Sequence, residues 1–404
     1  MEERFIRINA SLNKNETSAA LTILLGILIA LSALGTDLYV PALPDVAAFY
    51  AAPVSAAQLT VTTYFLGLAL GQLAWGPLAD RYGRRPVLIA ALALMLVVTA
   101  ASPFMPSAGS LAGARLAQGL GMSGGVVVAR SIVRDLHAHE QAARLLARMM
   151  IVFSIVPIAA PVSGALLTSA AGWRAIFWTY ALIAAGLLAA VVAGLRETAP
   201  VERRSVHPVA IAAGFAGMLA ERRFLGPLLV VLACQLAILS WVASSAFTLA
   251  GMGVAVDAYG WMFAGVMLGQ ITGAWVASRL VVRLGMAPLV RAGSWLVLGG
   301  GLSAAACAWA GGAHWSSIVA PFALLLFGTA LVLPNATALA LTPFPRAAGS
   351  ASSLIGAIGF TAGAILSTLL GLLFDGTARP MASAAAFAAA GVFGFERLLR
   401  HGSR

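Results

Sequence analysis

Long apolar stretches separated by short polar segments run along almost the whole chain. A helix that crosses a bilayer needs about 20 predominantly apolar residues, and twelve stretches approach that length. They lie at 20–40, 57–78, 87–104, 111–133, 148–170, 175–195, 225–250, 258–277, 289–311, 316–341, 350–374 and 381–398. Their apolar residues run continuously, unlike the alternating strands of a β-barrel. The pattern therefore predicts an all-α integral membrane protein with twelve transmembrane helices.

The longest polar segment lies near the middle of the chain and divides it into two halves. We expect a six-helix bundle in 1–195, a cytoplasmic linker in 196–224 and a second six-helix bundle in 225–404. Within the linker, 207–219 is mildly apolar and has helix-compatible spacing. This segment indicates an interfacial helix that lies on the cytoplasmic leaflet.

An internal repeat supports the division into halves. At an offset of 198 residues, the Leu-Gly-Gln sequence of 70–72 recurs at 268–270. The same register aligns Ser278 with Asp80, so the second half lacks that acid. A parallel repeat of six spans predicts two bundles related by an axis along the membrane normal, with a central cavity and alternating access by rocking.

Composition excludes several protein classes. The chain has 404 residues, of which 61% are hydrophobic and 10% are charged, whereas soluble domains average about 25% charged residues. So few charges cannot form the polar surface of a soluble protein of this size. The apolar content also excludes an intrinsically disordered chain.

The basic residues indicate orientation. A net charge of +11 in a soluble protein would suggest binding to nucleic acid. Here 21 of the 25 basic residues fall on one face of the predicted bundle, and only Arg174 and Arg379 fall on the other. The positive-inside rule places both termini in the cytoplasm, and we expect no nucleic-acid partner. The first apolar stretch lacks a clear cleavage site, so we interpret it as an uncleaved span.

Nothing in the sequence indicates catalysis or a cofactor. Both cysteines, Cys234 and Cys307, lie in apolar runs, so a disulfide framework or a metal site is not expected. There is no nucleotide-binding loop and no set of a nucleophile and a base. We expect no enzyme activity, no metal and no cofactor.

The loop after the second span carries glycines and charges at fixed spacing. It reads Gly-Pro-Leu-Ala-Asp-Arg-Tyr-Gly-Arg-Arg-Pro over 76–86 and resembles the GxxxDRxGRR signature loop of the major facilitator superfamily. Asp80 at the membrane edge can accept hydrogen bonds from a helix N-terminus, and the start of span eleven at 349–352 is a candidate partner. Arg84 requires a carboxylate, and Asp135 at the end of span four is available.

The resemblance implies that this loop is a conformational latch between the two halves. Glycines there permit close helix packing and a tight turn. The predicted latch residues are Gly76, Asp80, Arg81, Gly83, Arg84, Arg85 and Asp135.

Further segments look like the bicyclomycin/chloramphenicol-resistance (Bcr/CflA) type of drug–proton antiporters. They are 37–44, 58–64, 115–121, 129–135 and 172–177. The resemblance implies a monomeric, proton-coupled efflux antiporter with the major facilitator fold in the bacterial inner membrane, exporting small drug-like or amphenicol-like molecules. The alternative is an uptake symporter or facilitator of the same superfamily for a metabolite such as a sugar or nucleoside.

Asp37 is the acidic residue that lies clearly within a span. Such a group costs roughly 2.5–3.5 kcal/mol or more in the membrane, which favours a functional role. Asp37 and Arg115 lie at similar depth by the 1.5 Å rise per residue, and they can pair directly or through Gln118. We expect this set to couple proton and substrate movement. The alternatives are a structural ion pair between spans one and four, or a carboxylate in water at the interface.

Other polar, aromatic and proline residues complete the candidate site. Buried polar groups tend to face a cavity or another helix. The predicted substrate-cavity residues are Tyr39, Gln235, Trp241 and Asn335. In span five, Pro157, Pro161 and Gly164 resemble the antiporter motif GxxxGPxxGG, and a kinked helix at the seam between halves is expected to seal the leak path.

Overall fold

Twelve long helices form the part of the protein that the structure describes. The computed structural model describes residues 19–136, 139–199, 208–312, 314–344 and 347–402, and within these residues it contains helices and no strand. The long helices are α1 (Ala19–Asp37), α2 (Val54–Tyr82), α3 (Arg84–Ala101), α4 (Ala108–Leu136), α5 (His139–Ala171), α6 (Arg174–Gly194), α7 (Arg222–Gly251), α8 (Val256–Leu284), α9 (Met286–Trp309), α10 (Ser316–Leu341), α11 (Ala348–Leu372) and α12 (Arg379–Gly402). Shorter helices lie at Val40–Ala42, Leu43–Phe49, Ser102–Phe104 and Pro208–Ala220.

Every predicted span coincides with one long helix. Within the described ranges, eleven helices are long and apolar enough to cross a membrane, and α5 contains the apolar segment Ile155–Ala171. The prediction of a twelve-helix membrane protein is therefore confirmed. The helices extend beyond the apolar stretches because backbone hydrogen bonding continues through the polar residues at their ends.

Neighbouring helices are antiparallel because short loops join them. The distal end of the bundle is defined here as the end where α1 and α7 end and α2 and α8 begin. The proximal end is the opposite one, where α2 ends and α3 begins, and the segment between α6 and α7 lies there.

The helix Pro208–Ala220 lies in the segment where an interfacial helix is predicted. It packs against α7 and α11, and Phe215 and Met218 contact the apolar core. His207, where the predicted helix begins, lies outside the described residues. A position on the membrane surface remains a prediction.

The same packing pattern occurs in both halves. In the first, α4 packs against α2 and α3, α1 against α5, and α3 against α6. In the second, α10 packs against α8 and α9, α7 against α11, and α9 against α12. The halves meet along two seams, one between α2 and α11 and the other between α8 and α5. Exchanging the halves converts one seam into the other, as a parallel repeat requires.

Glycine contacts place the repeat in a register that differs from the predicted offset of 198. Gly67 and Gly71 of α2 lie where any Cβ would overlap atoms of α4. Gly269 and Gly273 of α8 lie in the same way against the backbone of α10. Since α2 and α8 both have 29 residues and begin at positions 54 and 256, equivalent residues are 202 apart.

The predicted register was therefore wrong by four residues. A shift of four residues keeps nearly the same face of a helix, so a glycine- and leucine-rich repeat matches almost as well one turn away. In the structural register Val282, and not Ser278, is the counterpart of Asp80. The second half still lacks an acid at this position.

Candidate functional site

A cavity of about 270 Å³ lies between the two halves. Six helices contribute to its wall: α1, α2 and α5 from the first half, and α7, α8 and α11 from the second. The lining residues are Ser32, Ala33, Thr36, Asp37, Phe65, Phe153, Pro157, Gln235, Ile238, Leu239, Val242, Met267, Gln270, Gly356, Gly359 and Phe360. Among them Asp37 carries the only charge, and the rest of the wall is aromatic, aliphatic or neutral polar.

Asp37 is the last residue of α1, and its side chain is buried at 7% exposure. Pro41 has no backbone N–H to donate to the carbonyl of Asp37, so the α-helix cannot continue through this point. The chain turns and continues as the short helices Val40–Ala42 and Leu43–Phe49. The proline thus ends α1 with a carboxylate facing the cavity.

Arg115 of α4 is fully buried and lies between two tyrosine rings. Its guanidinium carbon is 4.3 Å from the ring centre of Tyr39 and 4.2 Å from that of Tyr64. Its Nη2 donates a 2.9 Å hydrogen bond to the carbonyl of Gly35, two residues before Asp37. In the described chain Arg115 and Asp37 share neither a hydrogen bond nor an ion pair. Arg115 therefore holds the end of α1 by its backbone.

Gln118 extends this contact into α3. It accepts a hydrogen bond from Arg115 Nη1 and donates from Nε2 to Thr99 Oγ1 at 2.8 Å. Tyr39 shares a 2.9 Å hydrogen bond with Thr60 of α2. The two tyrosine faces and the two oxygen acceptors compensate the buried cation.

Of the four predicted cavity residues, Gln235 lines the cavity and three lie behind its wall. Tyr39 stacks on Arg115. Trp241 is fully buried and packs between Phe263 and Phe322, with ring centres 6.0 and 5.0 Å away. Asn335 donates from Nδ2 to a backbone carbonyl of its own helix at 2.8 Å.

Several lining residues were absent from the predicted set. Phe65 and Phe360 form a stacked pair across the α2–α11 seam, with ring centres 6.1 Å apart. Gln270 of α8 lies on the wall of the second half, and a polar residue inside a predicted span was the available signal. The prediction also overlooked Glu396 near the end of α12, which is buried at 4% exposure.

The motif residues of span five line the cavity and pack against two other segments. Pro157 lines the cavity. A Cβ at Gly260 of α8 would lie 2.9 Å from the backbone oxygen of Pro161, so α5 and α8 are closely packed there. A Cβ at Gly164 would overlap the carbonyl oxygen of Leu38. The motif therefore packs α5 against α8 and against the residue that follows Asp37.

At the distal end, polar contacts join the halves across the α2–α11 seam and between α2 and α7. Gln58 Nε2 donates to the carbonyl of Ala243 at 2.9 Å, and the hydroxyls of Thr62 and Thr368 lie 3.2 Å apart. Gln58 Oε1 is buried without a described hydrogen-bond partner and lies against Gly371. These contacts, which join the two halves at this end, are named here the distal seal.

The predicted latch forms an ion-pair cluster at the proximal end. Arg84 pairs with Asp80 at 2.5 Å and with Asp135 at 2.8 Å. Gly83 has a φ of +101°, so it supplies the left-handed turn that joins α2 to α3. Within the described chain, no hydrogen bond joins Asp80 to the start of α11 at 349–352. Arg134 of α4 lies against Gly349 there.

Glu197, which follows α6, was not predicted. Its carboxylate accepts hydrogen bonds from the backbone N–H groups of Arg84 at 2.8 Å and Arg85 at 3.2 Å, at the start of α3. The backbone N–H groups of the two residues after it also donate to it. Burial alone would raise the pKa of Glu197, but the four donors hold it below its ordinary value. Arg85 donates from Nη2 to the carbonyl of Val192 at 2.9 Å.

The remaining latch residues make looser contacts. A Cβ at Gly76 would lie 3.7 Å from Val127, an ordinary van der Waals distance, so close packing between α2 and α4 depends on other glycines. Arg81 lies over the ring of Tyr82, 5.2 Å from its centre. In the part of the chain that the structure describes, no group of three or more His, Cys, Asp or Glu residues could hold a metal.

Residues 25–368 match the sequence profile of the Major Facilitator Superfamily. The chain belongs to this superfamily. Its two six-helix halves and central cavity are therefore those of a transporter fold. The superfamily that the 76–86 loop indicates is therefore confirmed.

Curated relatives carry drug-resistance names. The Bicyclomycin resistance protein homolog of Haemophilus influenzae is 28% identical over 374 residues, which cover 92% of this chain and 93% of the relative. Multidrug resistance protein D of Escherichia coli is 27% identical over 361 residues, covering 89% and 90%. The Chloramphenicol resistance protein of Pseudomonas aeruginosa is 36% identical over 179 residues, covering 44% and 42%.

Solved structures confirm the fold. A POT family transporter in complex with 5-aminolevulinic acid has a TM-score of 0.73 at 12% identity and covers 95% of each chain. A D-xylose-proton symporter has a TM-score of 0.68 at 18% identity, covering 94% of this chain and 98% of its own. At such identities the similarity concerns the fold alone.

Proposed function

We propose that this chain is a proton-coupled efflux transporter that exports small drug-like molecules across a bacterial cytoplasmic membrane by alternating access. The observation that carries the proposal is the position of Asp37, the one charged residue among those lining the cavity between the halves. The resistance names of the relatives favour export over uptake of a metabolite. The substrate class includes amphenicol-like molecules.

Asp37 provides the coupling. An ionised carboxylate in an apolar cavity is costly, and binding a proton or a cationic group removes that cost. Proton and substrate therefore compete for one site. Because each conformation exposes the cavity to a different compartment, the carboxylate takes up a proton on one side and releases it on the other when substrate binds.

The Arg115 cluster keeps Asp37 in place during this cycle. Arg115 anchors the carbonyl of Gly35, and Gly164 packs against the residue after Asp37. Contacts from α4 and α5 thus fix the backbone around Asp37, and its carboxylate faces the cavity. Gln118 supports the anchor from the side of α3.

The distribution of basic residues supports an orientation with the proximal end and both termini in the cytoplasm. The distal seal then closes the periplasmic side in this conformation. In the outward-open conformation the Asp80 cluster latches the halves at the cytoplasmic end. The helix Pro208–Ala220 lies on the cytoplasmic leaflet. Since one chain encloses a whole cavity, it transports as a monomer.

The test is proton release in everted membrane vesicles. After a proton gradient is formed, adding the cation tetraphenylphosphonium, which competes with the proton for Asp37, should release protons, measured by a fluorescent pH probe, when the vesicles contain wild-type protein. Asp37→Asn should abolish this release. Asp45→Asn is the matched control, because Asp45 is an exposed acid on the short helix Leu43–Phe49. Unchanged export by Asp37→Asn, or wild-type export that persists without a gradient, would refute proton coupling.

Single cysteines test the orientation. Ser107→Cys lies near the distal end and Ser278→Cys near the proximal end of α8, and both are exposed. With Cys234 and Cys307 replaced, a membrane-impermeant maleimide added to whole cells should label only the first variant. Labelling of the Ser278→Cys variant alone would indicate the opposite orientation.

A further inference from the structure

The two halves offer different chemistry to the cavity. The first half contributes the carboxylate of Asp37 with the hydroxyls of Ser32 and Thr36. The second half contributes the carboxamides of Gln235 and Gln270, and among its described lining residues none is charged. A substrate that spans the cavity therefore meets an acid on one side and neutral amides on the other.

The hydroxyls of the first half are already engaged within the protein. Thr36 Oγ1 donates to the carbonyl of Ser32 at 3.4 Å, and Ser32 Oγ donates to the carbonyl of Ile29 at 3.5 Å. Both hydroxyls thus lie against backbone carbonyls of their own helix. This leaves Asp37 as the main polar group that the first half offers to a ligand.

The glutamine amides that the second half presents to the cavity leave hydrogen-bonding capacity unfilled. Gln235 Oε1 is buried and has no hydrogen-bond partner among the described residues. This oxygen lies against Gly359 of α11, where the Cβ of any other residue would overlap it. Gln270 lies one helix away, on α8, and makes no hydrogen bond within the described chain. A buried amide oxygen without a partner is unfavourable, so a ligand that draws the Gln235 amide away from Gly359 and pairs with it gains binding free energy.

An aromatic surface connects the two sides. Phe65 and Phe360 stack with 25° between their ring planes, and Phe153 lines the cavity from α5. A flat apolar group fits against these rings. The wall thus places an acid, an aromatic surface and a pair of amides around one cavity of about 270 Å³.

We propose that Gln235 and Gln270 form a second recognition subsite, which binds an uncharged substrate group that both donates and accepts hydrogen bonds, such as a carboxamide or hydroxyl. The proposal rests on the proposed function and specifies how its cavity selects substrates. Uncharged aromatic amides use the glutamines, and cations without hydrogen-bonding groups use Asp37. Carboxamides suit the first class because each offers both N–H donors and an oxygen acceptor.

Two probes separate the subsites in equilibrium binding to the purified full-length protein. Chloramphenicol is uncharged and has an aromatic ring, an amide and hydroxyls. Tetraphenylphosphonium is a cation with no hydrogen-bonding group. Gln235→Leu and Gln270→Leu should raise the Kd for chloramphenicol roughly five- to tenfold, the effect of losing one hydrogen bond. Both should leave the Kd for tetraphenylphosphonium within about twofold, which also shows that the variants are folded.

Two further variants sharpen the test. Gln72→Leu is the matched control, because Gln72 is a buried glutamine that packs against Gly356 from α2 and does not line the cavity. It should change neither Kd. Gln270→Glu adds a carboxylate and should strengthen tetraphenylphosphonium binding while weakening chloramphenicol binding.

Several results would overturn the subsite. They are equal weakening of both probes by the two leucine variants, no effect of either, or wild-type protein that binds tetraphenylphosphonium and not chloramphenicol. None of these results bears on proton coupling, which the vesicle assay measures with Asp37→Asn. Failure of the subsite and failure of the proposed function are therefore distinguishable.

Discussion

Gln58 of α2 donates a 2.9 Å hydrogen bond to the backbone carbonyl of Ala243 in α7, and this bond joins the two halves at the distal end. Gln58 is fully buried. Because its other amide atom, Oε1, has no described partner, the contact is only half satisfied. A seal of this kind can break without a large penalty, as a transporter that alternates between two conformations requires.

Gln58→Ala, which removes the hydrogen bond without adding an apolar side chain of similar size, should therefore shift the protein toward the conformation that is open at the distal end. One hydrogen bond is worth about 1 kcal/mol, or about fivefold in an equilibrium constant. The reporter is Ser367→Cys, a nearly isosteric change at a buried position of α11 near the seal, in a protein without Cys234 and Cys307. Its reaction with a membrane-impermeant maleimide should become about fivefold faster.

Thr63→Val is the control for this experiment. Thr63 donates to the carbonyl of Ala112 at 2.7 Å, a bond within the first half. Its loss removes a hydrogen bond from the same helix without weakening the contact between halves. If Thr63→Val accelerated labelling as much as Gln58→Ala, the seal would have no special role.

Arg115→Lys should destabilise the protein and impair transport. A lysine keeps the charge but cannot stack on Tyr39 and Tyr64 while donating to both Gly35 and Gln118. From the lost ring contacts and charged hydrogen bond, we expect a decrease of roughly 2 kcal/mol in the free energy of unfolding. Thermal unfolding in detergent and vesicle transport measure the two effects.

Arg174→Lys is the matched comparison. Arg174 also lies over two rings, 4.2 Å from the centre of Phe49 and 4.6 Å from that of Trp173, but it is only partly buried at the distal end. Its substitution should have a smaller effect on stability and little on transport. Equal effects of the two substitutions would contradict an anchoring role for Arg115.

Gly164→Ala should force α5 away from α1. The added Cβ would overlap the carbonyl oxygen of Leu38, which is backbone and cannot rotate away. We expect a loss of roughly 1–3 kcal/mol in stability together with reduced transport, since Leu38 follows Asp37. Gly186→Ala in α6 meets no atom within 4 Å and should be neutral or stabilising by up to about 1 kcal/mol. A neutral Gly164→Ala would refute the close contact.

Stability at the proximal end should depend on pH through Glu197. A carboxyl group whose pKa is lowered by folding contributes stability at pH values above its ordinary pKa, and that contribution disappears as the pH falls through the lowered value. Melting temperatures of the wild type should therefore exceed those of Glu197→Gln at neutral pH. The difference should shrink on acidification and vanish once the carboxylate is protonated. A difference that does not change with pH would contradict stabilisation by the Glu197 carboxylate.

Depth along a helix could be predicted from the sequence, and rotation about its axis could not. Counting residues placed Arg115 level with the end of α1, and the structure brings it to Gly35 there. Its actual partners, two tyrosine rings and a carbonyl, depend on how α1, α2 and α4 face one another. The same limit explains why Gln235 faces the cavity while Trp241 and Asn335 do not.

Local composition by itself determined the number of spans and the superfamily, because the length of an apolar run and the spacing of glycines and charges are properties of contiguous residues. Tertiary structure alone decided the cavity wall, the partners of Arg115 and the distal seal. The distal seal, for example, joins residues 306 positions apart in the contact between Thr62 and Thr368. Which faces meet depends on packing between all the helices, and every continuously apolar helix has several faces that could be buried.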